Sequence, residues 1–168
     1  TDPLGSEINR VTYPAQLEGV SRGRLPDGSA TFADFPTTAS PGAANYAATY
    51  GGPVFSEVLA RNVAALTNAG HTPDFIELFN PGFASWNLAG MSLSVGEARA
   101  GQWVFPPGAQ LASQSYLVIW CDGSRTASTN LGAFNLGREL DGESDGAYLF
   151  NAAGQLVNAV EFGFQIAD

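Results

Sequence analysis

The longest apolar run in this chain is the six residues YLVIWC at 116–121, and the runs on either side of it are broken by Gly, Pro, Asn and Asp. Six helical residues rise only about 9 Å, too little to cross a bilayer, whereas six extended residues make an ordinary strand. The pattern therefore predicts an all-β domain with short antiparallel strands at 9–13, 20–25, 31–35, 54–60, 74–80, 88–95, 102–105, 116–120, 147–151 and 156–162. Only 57–69 admits a helical reading, and its first half is better read as strand with loop after it. Within the last strand, Asn158 and Glu161 interrupt the alternation out of phase, which predicts a bulge between Ala159 and Val160.

Turn chemistry supports these divisions. Pro107-Gly108 suits a tight turn, and Asp122-Gly123 ends the run at 116–120. The tripeptide 152–154 joins two strands at hairpin distance, with Gly154 free to take a positive φ. Residues 36–52 are rich in Pro, Ala, Thr and Gly and have the composition of a linker.

The chain has 168 residues, 45% of them apolar, which is enough for the core of one sandwich and too little for two. Its formal net charge is −9, and all seven basic residues are Arg. Nucleic-acid binding relies on a cationic surface that releases counterions, so no nucleic-acid partner is expected, and anionic membranes are disfavoured for the same reason. One cysteine, Cys121, leaves no internal disulfide. The sequence opens on TDPLGSEINR without Met and stops at Asp168, as an excised piece of a longer protein does.

A short internal repeat adds to this picture. Residues 8–13 read INRVTY and 157–162 read VNAVEF, with Asn9 aligned to Asn158 and Gln16 to Gln165. Residues 1–45 are then expected to be the tail of a preceding repeat plus a linker, and 46–168 the main domain.

Six motifs occur in order: PVFSEVLA (53–60), DFIELFNPG (74–82), WNLAGMSLS (86–94), WVFPPG (103–108), YLVIWCDG (116–123) and AYLFNAAGQLVNAVEFG (147–163). Together they resemble the lamin tail domain over about residues 53–164. The resemblance implies an immunoglobulin-like antiparallel β-sandwich that serves as an interaction module, without catalysis or cofactor. Bacterial relatives occur in secreted or surface proteins, so the resemblance also implies an extracellular or cell-surface location with protein or cell-surface partners. Residues 20–45 are similar to the segment that follows the last strand in bacterial members, here placed ahead of the domain. That order predicts that 20–35, with Val20, Leu25, Phe32 and Phe35, packs on the sandwich, in the same molecule or exchanged in a domain-swapped dimer.

Candidate sites are few. Glu57 and Glu77, on neighbouring strands, have the residue types of a glycosidase pair, but such a pair needs a cleft and a set separation, and a structural role suits Glu77 better. His71 is the sole histidine, which excludes multi-His zinc sites, and its neighbours place it in a loop. There is no phosphate-binding Gly loop. Cys121 reads as a small buried hydrophobe. Trp86 opens a strand beside a loop and reads as packing ahead of a ligand platform. Asp141, Glu143 and Asp145 alternate before Gly146 like the opening half of a calcium loop, yet Ala152 stands at the twelfth position where a bidentate Glu belongs; the competing reading is a solvated acidic turn. The expected function is a non-catalytic binding or tethering module of a larger secreted or surface protein. The alternative is an accessory domain or fragment of an extracellular hydrolase such as a nuclease or phosphatase.

Overall fold

The computed structural model describes residues 4–5, 7–25, 27–35, 39–45 and 50–168. Eleven strands and no helix occur among them: β1 (Ser21–Arg24), β2 (Phe32–Phe35), β3 (Val54–Leu59), β4 (Asp74–Phe79), β5 (Trp86–Asn87), β6 (Ser92–Val95), β7 (Trp103–Val104), β8 (Gln110–Leu111), β9 (Tyr116–Cys121), β10 (Asp145–Phe150) and β11 (Leu156–Phe162). A four-stranded sheet ordered β11-β10-β6-β7 and a three-stranded sheet ordered β3-β4-β9 enclose one core, with β5-β8 as a short ribbon beside them. All of their strand pairs are antiparallel.

Alternation explains the core. On β4, Ile76 and Leu78 are fully buried, and so is Ile119 on β9; they meet Leu93 and Val95 of β6 and Ala147 and Leu149 of β10 in one cluster. Trp103, Phe105 and Phe134 close its far end edge-to-face, with centroids 4.8 to 5.6 Å apart. Such contacts add directional packing to the area buried. On β6 the other face is polar yet buried: Ser94 Oγ donates to Glu97 O at 2.7 Å, and Ser92 Oγ accepts from Gly101 N at 2.9 Å. These hydroxyls hold the 97–101 loop down, so the sheet needs no apolar cover there.

A second, smaller cluster lies on the outer side of β10, where Tyr148, Phe150 and Leu156 are covered by Leu17 and Val20. The β1-β2 hairpin follows, running in register from Ser21–Phe35 to Arg24–Phe32, with Phe35 buried.

Several expectations need correction. Residues 9–13 form no strand, because their apolar side chains have no sheet to face: Val11 and Tyr13 are 46% and 66% exposed. The run at 88–95 begins pairing only at Ser92, since Leu88 to Met91 form a turn closed by the Met91 N to Leu88 O bond of 2.9 Å. Trp86 does open a strand, the two-residue β5, whereas its partner β8 gave no sequence signal, as two residues have no period to read. The bulge falls at Val157, not between Ala159 and Val160: Leu149 pairs with Asn158 and Phe150 with Leu156, leaving Val157 over. Val157, Val160 and Phe162 therefore all reach the main core, while Leu156 and Ala159 join the outer cluster. Gly154 takes φ 78° in the β10-β11 turn as expected.

Candidate functional site

The two sheets meet along one side, where β11 lies against β3, and here the polar side chains of β11 do structural work. Asn158 Oδ1 accepts the backbone N–H of Phe55 at 2.8 Å. Three residues beyond the strand, Gln165 Oε1 accepts from Ala60 N at 2.8 Å and its Nε2 donates to Val58 O at 3.3 Å. A free strand edge is a template for unwanted pairing, and these amides occupy part of it. Sequence reading aligned Asn158 and Gln165 with Asn9 and Gln16 but assigned neither a role; an amide on an otherwise inward-facing strand is the signal that was available.

Three further asparagines hold the loops. Asn80, with no exposed surface, donates from Nδ2 to Ala84 O, Leu111 O and Ala112 O at 2.9 to 3.0 Å and accepts from Gly82 N at 3.0 Å. Asn62 donates to Leu66 O and Pro73 O at 2.6 and 2.8 Å. Asn135 accepts from Asp122 N at 2.9 Å and donates to Asp122 O and Thr126 O, both at 3.2 Å. A side-chain amide offers donors and an acceptor at once, so one buried Asn satisfies a whole loop's backbone. Each loop is thereby fixed on the sandwich.

The acidic loop joins this scheme. Asp141 Oδ1 accepts from Glu143 N and Asp145 Oδ2 from Asp141 N, both at 2.9 Å, while Asp145 Oδ1 accepts from Gly146 N at 2.7 Å. Glu143 forms an ion pair with Arg61. The candidate calcium ligands Asp141, Glu143 and Asp145 are thus engaged with the turn's own N–H groups and an arginine. No group of three or more His, Cys, Asp or Glu side chains is placed to hold a metal ion among the described residues.

Above this loop lies an open groove of about 640 Å³, lined among others by Arg138, Glu139, Asp145, Tyr148 and Glu161. Tyr148 Oη donates to Glu161 Oε1 at 2.9 Å. Burial, reinforced by the Glu161 carboxylate, pushes the phenol up to about 12, so it stays a neutral donor. At the neighbouring end of β4, burial raises the Asp74 carboxyl above its usual range although Leu140 N reaches it at 3.2 Å.

The sheet brings Glu57 and Glu77 side by side, and Glu77 accepts from Ser56 Oγ at 2.7 Å. The surface groove that takes in Glu57 does not include Glu77. His71 is exposed and closes a tight turn with Asn68, bonded through both backbones at 2.8 and 3.1 Å, with Ala69 and Gly70 at positive φ. Cys121 is fully buried, and burial raises its thiol pKa, followed by the charges of Asp74 and Asp145, so it carries no thiolate. Trp86 is half-buried against the main core and meets Tyr50 edge-to-face at 5.9 Å.

Among the described residues no helix is long and apolar enough to cross a membrane. No curated protein matches the chain. The model of the family described as Lamin Tail Domain matches residues 47–164, a span that takes in β3 through β11 and leaves β1 and β2 outside. With most of its length matched and its strands arranged as an immunoglobulin-like sandwich, the chain belongs to the lamin tail domain family.

Proposed function

We propose that this chain is a non-catalytic binding or tethering module of a larger secreted or surface protein, with protein or cell-surface components as its partners. The observation that carries this reading is the use made of the polar side chains. The buried asparagines and the acidic loop are committed to backbone groups, so these polar side chains hold the loops of the sandwich in place. Membership of a family that is generally non-catalytic supports the same reading. In it, the loop carrying Asp141, Glu143 and Asp145 is a turn that sets the start of β10, and millimolar calcium leaves the melting midpoint unchanged; a midpoint that rises with calcium and falls with chelator would establish a metal site instead.

Two measurements test the function. The full chain should show no turnover of phosphodiester, phosphomonoester or glycoside substrates with calcium, magnesium or manganese present; turnover lost in Glu57→Gln or Glu77→Gln would overturn it. In intact cells of the source organism, the parent protein should be cleaved by protease added outside, and full protection would refute the secreted or surface assignment.

A further inference from the structure

Two stretches of the chain share a pattern of apolar and amide residues, and the structure gives the second a task that the first does not perform here. The shift between them is constant, since 158 − 9 and 165 − 16 both equal 149. It aligns Ile8, Asn9, Val11, Tyr13 and Gln16 with Val157, Asn158, Val160, Phe162 and Gln165. It also aligns Gly5 with Gly154, which share the left-handed conformation at φ 85° and 78°.

The matched positions are the ones that work. Val157, Val160 and Phe162 pack into the main core, Asn158 and Gln165 cap the β3 edge at Phe55, Val58 and Ala60, and Gly154 makes the turn into β11. The unmatched positions are more permissive: Glu161 is exposed where Thr12 aligns, and Gly163 is exposed where Pro14 aligns. Glu7 departs from the pattern by standing where Leu156 is buried. In the first stretch Ile8, Val11 and Tyr13 are 71%, 46% and 66% exposed, and Asn9 accepts from the Arg24 guanidinium at 3.1 Å instead of capping a strand. A residue set that suits an inter-sheet seam is thus turned to solvent.

We propose that residues 8–16 are the terminal strand of a second copy of this module, preceding this one in the same polypeptide. There Asn9 and Gln16 cap that copy's first edge strand as Asn158 and Gln165 cap β3. The protein is then a serial array, in which each module is completed by the chain that leads into the next. The inference does not depend on what the module binds.

The test is a fusion in which a copy of residues 17–156 is joined directly to Ile8 of the full chain, so that 8–16 must serve as its last strand. A control fusion keeps the first copy's own 157–165 and shows that two modules fold side by side. The spliced fusion should unfold as two modules. The pair Asn9→Ala and Gln16→Ala should lower the midpoint of one module by several degrees in the fusion and leave the single chain's midpoint unchanged, while Asn158→Ala with Gln165→Ala destabilises the single chain. If the control folds and the spliced copy stays protease-sensitive, or if the Asn9 and Gln16 pair is silent in a folded fusion, the proposal is wrong. Turnover and protease-accessibility results bear on the interaction reading alone, so the two ideas fail separately.

Discussion

Strands β3 and β9 flank β4 in the same sheet, and both are edges, yet they are shielded by different chemistry. Along β9 the cover is backbone: residues 134–136 run parallel to it, with Trp120 N donating to Phe134 O at 3.1 Å and Leu136 N to Trp120 O at 2.8 Å. Along β3 the cover is two side chains, Asn158 and Gln165. Backbone cover tolerates many sequences but needs the covering loop pinned, which Asn135 does. Side-chain cover needs no extra strand but depends on two residue identities. The same two identities recur at Asn9 and Gln16.

Breaking the β9 side should cost most. Asn135 is only 7% exposed and holds both the N–H and the carbonyl of Asp122. Asn135→Ala should destabilise the domain by about 3 kcal/mol, because buried backbone groups lose their partner. Urea unfolding with an unchanged m-value would measure it, and a loss no larger than that of a surface substitution would show that the 134–136 cover holds itself.

On the β3 side, Asn158→Ala with Gln165→Ala should cost about 2 kcal/mol and free the edge for pairing with another chain. The second effect sharpens the contrast: sedimentation at rising concentration should show self-association in this variant and not in Asn135→Ala. Asn158→Asp keeps the acceptor for Phe55 N and should recover most of the loss.

Leu17 and Val20 test the outer cluster, which is smaller than the main core and separate from it. Each is half-buried on Tyr148, Phe150 and Leu156, so Leu17→Ala should cost about 1 kcal/mol and deletion of 1–45 somewhat more. An unchanged midpoint after the deletion would reduce the segment to a linker. If its packing is exchanged between molecules, the chain's mass in solution should instead rise with concentration.

The smallest effect belongs to the chain's end. The backbone N–H of Val63, aided by those of Ala64 and Ala65, holds the Asp168 carboxyl below its usual range. A depressed folded value means the charged form contributes stability above the unfolded pKa, and that stability is lost as pH falls through the folded one. Asp168→Asn should therefore be less stable than the parent at neutral pH, with the gap closing as the pH falls through the lowered folded value. A gap that persists in acid would show that the carboxylate's charge is not what ties the end down.

Period-two geometry sets Ile76 and Leu78 on one face of β4 and Phe75, Glu77 and Phe79 on the other, but which face turns to the main core was not legible, because both carry large apolar side chains. Gly154 was legible, as a positive φ is a property of one residue. The candidate sites were legible mainly as weaknesses: a lone histidine, a calcium loop without its last ligand, and two glutamates without a cleft.

Local periodicity and ordered motifs in the sequence establish the all-β character and the family likeness. Tertiary structure alone decided which strand-like segments become strands. Residues 8–13 and 157–162 carry the same pattern, yet only the second pairs, because β10 stands beside it across a short turn. It also decided the task of Asn158, whose partner Phe55 lies 103 residues away. No local pattern encodes a hydrogen bond across that separation; it forms only when the core has brought the two sheet edges together.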